Sequence, residues 1–153
     1  MLFLLFRIGE DRYALDAAQI DIVLPLAPCK QIPGAPAWVA GLLVHQGRHV
    51  PVIDISMLAT GIPCVRRLST RIVLVPYQTA AGEHQMLGLQ IEHATATLRC
   101  NPDDFTASGI DHGNARYLGP VLQHEGSLIQ RITVKDLLGQ DVQKLLFSEA
   151  LQV

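Results

Sequence analysis

The side chains best suited to chemistry in this sequence are its six histidines and three cysteines, because both types can bind metal ions or act in catalysis. His45 and His49 are four residues apart, which on a helix would place two metal ligands on one face. Gly47 and Pro51 instead predict that the two histidines lie on opposite arms of a β-hairpin. No carboxylate or cysteine follows them at the usual ligand spacing. We therefore expect neither a metal site nor a cofactor.

The remaining candidates for catalysis are also unconvincing. Cys29, Cys64 and Cys100 are far apart, form no Cys-x-x-Cys pair and have no adjacent base. Asp103 and Asp104 are neighbours whose side chains point apart, and they lie in an Asn-Pro-Asp-Asp sequence that is typical of turns. The sequence has no Gly-x-Ser-x-Gly motif and no glycine-rich phosphate loop. We predict that the protein is not an enzyme, with a small hydrolase or metalloenzyme as the remote alternative.

The composition predicts a folded protein that recognises its partners by shape. The chain has 153 residues, of which 49% are hydrophobic and 17% charged, with a net charge of −2. These values exclude disorder and argue against general binding of nucleic acid or anionic lipid. Arg66, Arg67 and Arg71 form the one basic cluster, and we interpret it as a solvated face because no aromatic residues are interleaved. The length suits a single domain, residues 1–153, built from two β-subdomains with a shared core.

The start of the chain is apolar, but it is too short to enter a membrane. After Met1, all five residues 2–6 are leucine or phenylalanine, and Arg7 ends the run. A signal peptide or a membrane span needs a longer apolar segment, so a buried strand is the better interpretation. Together with the odd number of cysteines, this predicts a cytoplasmic protein without direct membrane insertion.

Short strands separated by turn residues account for most of the chain, which indicates a mainly β fold. Asp16 could begin a helix over 17–23, although the apolar residues Ile20, Ile22, Val23 and Leu24 could equally begin a strand. Thr133 could begin a short helix ending at residue 138, and residues 141–151 have the spacing of an amphipathic helix laid on the sheet. The predicted strands cover 2–8, 13–15, 38–44, 50–53, 71–77, 85–91, 95–100, 117–124 and 127–132.

The segment from Gly41 to Ser56 predicts a β-hairpin that leads into a short helix. Gly47 supplies the positive φ that a tight turn needs, and Asp54 is typical of a helix N-cap. Pro51 cannot donate a hydrogen bond, so the second strand should lie at a sheet edge or begin late. Such an edge beside a polar tip is more typical of a docking surface than of a catalytic site.

A second segment repeats this order of features and suggests two similar β-modules that share one core. In both, a strand, a glycine turn, a strand, a polar cap and a short helix follow one another. We align Gly41, Gly47, Ile53, Asp54 and Leu58 with Gly119, Gly126, Ile132, Thr133 and Leu137.

Several stretches resemble the chemotaxis coupling proteins of the CheW family. They are Phe-Arg-Ile-Gly-Glu-Asp-Arg-Tyr-Ala-Leu-Asp (6–16), Pro-Ala-Trp-Val-Ala-Gly (36–41), Gly47 and Pro-Val-Ile-Asp-Ile (51–55). The resemblance continues more faintly through 87–91, 117–119 and 137–139, and so covers essentially the whole chain. It implies a CheW-like fold of two interlocked five-stranded SH3-like β-barrels, with short helices and a C-terminal amphipathic helix.

The resemblance also implies a function. It points to a non-enzymatic adaptor that couples the cytoplasmic tips of chemoreceptors, the methyl-accepting chemotaxis proteins, to a CheA-type histidine kinase. Such a protein would be recruited from the cytoplasm to membrane-bound receptor arrays. The alternative within the family is a specialised coupling protein of a pilus, surface-sensing or second-messenger pathway.

By position, certain residues match places where the family's partner-binding surface is formed or supported: Ile20, Gly41, Gly47 and Gly88. Ile22 and Val23 lie beside it, and the hairpin tip adds Val44, His45, Gln46 and Arg48. Core packing is the competing interpretation for Ile20 and Ile22.

This chain departs from the family at the tip of the hairpin. Family members typically read Asn-Leu-Arg-Gly where this chain reads Val-His-Gln-Gly (44–47), so Gln46 replaces the expected arginine. A glutamine cannot reproduce the several donors of a guanidinium group. We hypothesise that Arg48 returns a positive charge to the same tip, or else that the receptor served here does not need one.

Overall fold

The structure, a computed structural model, describes residues 1–147, and strands are the main regular structure in that range. The strands are Leu2–Ile8 (β1), Asp11–Asp16 (β2), Ile22–Pro25 (β3), Val39–His45 (β4), Arg48–Asp54 (β5), Arg71–Gln78 (β6), His84–Arg99 (β7), Leu118–His124 (β8) and Ser127–Ile132 (β9). Two α-helices cover Ile55–Thr60 (α1) and Gln140–Phe147 (α2), and short 3-10 helices cover Ala17–Gln19, Pro102–Asp104 and Val134–Asp136.

The long strand β7 belongs to two five-stranded sheets. Its first half pairs with β6 and β5, which gives the order β3-β6-β7-β5-β4, called barrel I here. Its second half pairs with β1, which gives the order β7-β1-β2-β9-β8, called barrel II. Barrel II combines the first two strands of the chain with the last two, so the two units are interlocked. The predicted mainly β, two-barrel fold is confirmed.

Each sheet is closed by a short backbone contact beyond its strands. In barrel I, Lys30 and Leu42 exchange two hydrogen bonds, with N–O distances of 2.9 and 2.7 Å. In barrel II, Thr106 and Val121 exchange two, both 2.8 Å long. Apolar side chains fill the interior of each barrel, and a larger cluster that includes Phe6, Leu89 and others packs between them. This cluster draws buried side chains from both barrels.

The predicted repeat is also visible in the backbone. Asp54 N donates to Trp38 O at 2.8 Å, and Thr133 N donates to Tyr117 O at the same distance. The two donors, Asp54 and Thr133, are 79 residues apart, and so are the two acceptors, Trp38 and Tyr117. The same spacing relates the two irregular registers, which begin at Val39 and Leu118. Our alignment of Gly41 with Gly119 was wrong by one residue, because 79 residues separate all the other pairs.

Four local predictions need correction. We predicted two strands within β7, but His93 adopts a φ of 52° and lets one strand bend without ending. The segment after Asp16 forms a 3-10 helix of only three residues before β3 begins. Thr133 makes no side-chain cap bond. Pro51 does not mark a sheet edge, because β5 lies between β4 and β7; the alternative of a late start holds for the pairing with β7, which begins one residue after Pro51.

The C-terminal helix packs on the cluster between the barrels, as predicted. Val142, Leu146 and Phe147 contact that cluster, and the rings of Tyr77 and Phe147 stack with centroids 5.9 Å apart. Leu145 is exposed instead. The predicted end of the helix, residues 148–151, lies outside the described residues.

Candidate partner-binding surface

The tip of the β4–β5 hairpin projects from barrel I with its side chains exposed. Gln46 has a φ of 50° and Gly47 a φ of 76°, which makes this a two-residue turn of type I′. Val44 is 66% exposed, an unusual position for an aliphatic residue on a strand, and Arg48, which pairs with His45, is also exposed. Within residues 1–147, Arg48 forms no ion pair. His45 is half-buried. The predicted turn is confirmed, but the sequence did not reveal that Gln46 also has a positive φ.

The equivalent tip of barrel II is tied down. Its turn residues Glu125 and Gly126 have φ values of 50° and 80°, close to those of the first tip. There, however, the Arg12 guanidinium donates to His124 O at 3.2 Å and to Ser127 Oγ at 2.9 Å. The tip of barrel I has no such side-chain bond within the described residues and is held by its ladder alone. Its side chains are thus free to meet a partner.

A second exposed surface lies along β3, at the end of the strand order in barrel I. Ile22 and Val23 are exposed there, whereas Ile20 packs against the cluster between the barrels. Core packing therefore explains Ile20 but not Ile22. A shallow cleft between the barrels lies close by, lined by Ala18, Gln19, 76–78, Val134 and Lys135.

Gly41 and Gly88 are buried and support the hairpin from within. Gly41 has a φ of 140°, and a Cβ atom there would overlap Lys30 O and lie 2.8 Å from Lys30 C. A Cβ atom on Gly88 would lie 2.9 Å from Val52 Cγ2. Both glycines therefore allow β-barrel packing behind the tip, and neither presents a surface to a partner.

The comparison with protein families settles the relationship of this chain to known proteins. The model of the CheW-like domain matches residues 2–142. The chain belongs to the CheW-like family. Among solved structures, this CheW-like chain is similar to the scaffolding protein TtCheW from Thermoanaerobacter tengcongensis, with a TM-score of 0.77 and 19% identity. The match covers 92% of this chain and 89% of that protein. A search of curated proteins found no match.

In this CheW-like chain, Asp54 connects the hairpin to the segment that follows it. Its Oδ1 accepts a bond from Met57 N at 3.0 Å, which confirms the predicted N-cap of α1. Its Oδ2 accepts a bond from Cys64 N, also at 3.0 Å. A buried carboxylate thus fixes both the helix and the loop beyond it.

The three cysteines of the CheW-like chain are free thiols. Cys64 is buried, and burial raises its pKa, as do a hydrogen bond to Asp54 and the charge of that carboxylate. Burial also raises the pKa of Cys29. Within residues 1–147, no group of three or more histidine, cysteine, aspartate or glutamate side chains could hold a metal ion. No helix in the same range is long and apolar enough to cross a membrane.

We expect Cys64 to resist maleimide in the folded protein at pH 8, while Cys29 and Cys100, which are partly exposed, are labelled. Mass spectrometry of peptides before and after unfolding checks this. Because folding raises the Cys64 pKa above its ordinary value of 9.0, the stability it contributes is present below pH 9 and is lost as the pH rises further. A Cys64→Ala variant should therefore lose less stability above pH 9. Rapid labelling of Cys64 in the folded state would contradict the buried position.

One exposed surface of this CheW-like chain was not predicted. Ile62, Val65 and Leu68 are exposed in the loop that precedes β6, next to Arg66 and Arg67. We interpreted the arginines of that loop as a solvated face and made no prediction for its apolar residues. The sequence feature that could have indicated this surface is the presence of three apolar residues among arginines in one loop.

Proposed function

We propose that this chain is a non-enzymatic adaptor that couples chemoreceptor tips to a CheA-type histidine kinase. Membership of the CheW-like family supports this, as does the scaffolding role of the similar TtCheW. The observation that carries the proposal is the hairpin tip, which exposes Val44, Gln46 and Arg48 and is held by backbone pairing alone. The protein would act in the cytoplasm, at membrane-bound receptor arrays.

Coupling two partners requires two docking surfaces and no chemistry. The cleft between the barrels, beside Ile20, offers a recess for the helical hairpin of a receptor, and the tip of barrel I offers a charged contact. The edge of β3 exposes Ile22 and Val23 and pairs on one side only, with β6. Such an edge suits a β-rich domain of the kinase.

We expect Arg48→Ala to weaken binding of a receptor signalling fragment about fivefold to tenfold, or about 1 kcal/mol, because it removes the positive charge from the tip. Titration calorimetry with the purified fragment measures the change. Arg7→Ala is the matched control, since Arg7 is also exposed on a strand, in barrel II, and should leave the affinity unchanged. Equal affinities for Arg48→Ala and the unsubstituted protein would show that Arg48 does not compensate for Gln46.

A joint pull-down tests the adaptor function itself. The protein is immobilised and offered a CheA-type kinase and a receptor signalling tip, first separately and then together. Retention of both in one complex is the expected result, and retention of neither would overturn the proposal.

A specialised coupling protein is the second candidate, and Gln46 at the tip is the observation that favours it. A specialised member would retain the receptor of one pathway, such as pilus or surface-sensing signalling, and reject flagellar receptors. Offering both kinds of receptor tip in the same pull-down separates the two candidates.

A further inference from the structure

Residues 61–71, called the arginine loop here, expose an apolar surface at the far end of β5 from the hairpin tip. Leu68 is 98% exposed and Ile62 66%, with Val65 also exposed. Isolated apolar residues on a surface need no explanation, but these three lie within seven residues of one loop, and we call them the patch. Cys64 N donates to Asp54 at the end of β5, and β5 has seven residues, so the patch lies about 20 Å from the tip. It is a separate surface.

Hydrogen bonds fix the backbone of the arginine loop in place. Ser56 Oγ donates to Ile62 O at 2.7 Å, and Thr70 Oγ1 donates to Val65 O. Thr70 N donates to Arg67 O at 3.1 Å, and Ala94 N donates to Ser69 O at 3.1 Å.

Cys64 and Thr70 are buried, and Cys64 Sγ also bonds to Gln90 O at 3.5 Å. With these two side chains turned inward, Ile62, Val65 and Leu68 are presented outward on a fixed backbone. A surface that is already ordered loses little conformational entropy when a partner binds.

The charge of the arginine loop is opposite to that of the whole chain. Residues 61–71 contain three arginines and no acidic residue, whereas the net charge of the protein is −2. Arg66 and Arg67 are exposed and form no ion pair within residues 1–147, and the Arg67 guanidinium lies 3.3 Å from His93 Nε2. On the buried side, the negative charges of Asp54 and Glu92 help to raise the pKa of Cys64.

We propose that the arginine loop docks an acidic, amphipathic segment of a partner protein. Aliphatic side chains of the partner would cover Leu68, Ile62 and Val65, and its carboxylates would pair with Arg66 and Arg67, whose guanidinium groups suit bidentate bonds. Arginine is enriched at protein interfaces. A nucleic acid does not fit, because the exposed apolar side chains are aliphatic and offer no ring on which bases could stack.

Two synthetic peptides test the proposal on the full chain. One has leucines on one helical face and glutamates beside them; the other has lysines in place of the glutamates. Binding is followed by fluorescence anisotropy and by amide chemical shifts. We expect the acidic peptide to bind at least tenfold more tightly than the basic one, with shift changes concentrated in 62–68. Arg66→Glu combined with Arg67→Glu should weaken binding at least tenfold.

Leu68→Ser should weaken the acidic peptide about fivefold, and Leu128→Ser, at another exposed leucine in barrel II, is the matched control that should not. All the substituted side chains are exposed, so the variants should fold. Equal binding of both peptides, binding of neither, or shift changes at the hairpin tip would overturn the proposal. Two further results would also overturn the proposal. One is binding to vesicles rich in anionic lipid, and the other is self-association in sedimentation, provided that Leu68→Ser abolishes that interaction and leaves peptide binding unchanged.

Discussion

Replacing Gly41 with alanine is expected to lower the free energy of unfolding by about 3 kcal/mol, the upper part of the usual range for single substitutions. The φ of Gly41 is 140°, and the added Cβ would overlap Lys30 O, the atom that accepts a 2.7 Å bond from Leu42 N. The substitution therefore strains the backbone and disrupts the contact that closes barrel I. Thermal unfolding should show a melting temperature lower by about 10 °C.

Gly47→Ala is the control that separates these two effects. Gly47 also has a positive φ, 76°, but no atom lies within 4 Å of the position that its Cβ would take. The strain alone should lower the free energy of unfolding by about 1 kcal/mol. If Gly41→Ala were no more destabilising than Gly47→Ala, the close approach to Lys30 would have no energetic importance. If a Gly41 variant also binds its partners more weakly, we expect the cause to be the destabilised fold of barrel I and not the loss of a direct contact.

Asp54→Ala is expected to lower the free energy of unfolding by about 3 kcal/mol. The variant loses the N-cap of α1, worth about 1 kcal/mol, and leaves the buried Cys64 N–H without its acceptor, which costs about 2 kcal/mol. Urea unfolding followed by circular dichroism measures the change. Asp54→Asn retains one side-chain oxygen, so its free energy of unfolding should lie between those of Asp54→Ala and the unsubstituted protein.

The repeat provides a matched control for Asp54. Thr133 occupies the equivalent position in the second module and donates its backbone N–H in the same way, but its side chain makes no cap bond. Thr133→Ala should therefore change the free energy of unfolding by less than about 0.5 kcal/mol. Similar losses for Asp54→Ala and Thr133→Ala would show that the two carboxylate bonds of Asp54 do not stabilise the fold.

Features that depend on neighbouring residues could be predicted from the sequence. The β4–β5 hairpin and its turn follow from Gly47 between two apolar runs, and the cap of α1 follows from Asp54 just before a helix. Residues 46 and 47 could be predicted as the tip of the hairpin because Gly47 marks the turn. The two-barrel fold came from the family resemblance together with the repeat.

Features that depend on distant partners could not be predicted. The burial of Gly41 depends on Lys30, and the continuity of β7 depends on its pairing with β1, which begins the chain. Likewise, exposure of Ile22 depends on β3 lying at the end of its sheet. The spacing of apolar residues gives a period but does not say which strand pairs with which.

The shared strand β7 has a consequence for the mechanics of the molecule. Because one backbone of 16 residues supplies a strand to each barrel, neither barrel can open fully without removing a strand from the other. The two barrels should melt in a single cooperative transition, as one unit. A protein that holds two partners through different faces would then act as a stiff spacer, and movement imposed at one barrel would be passed to the other with little loss.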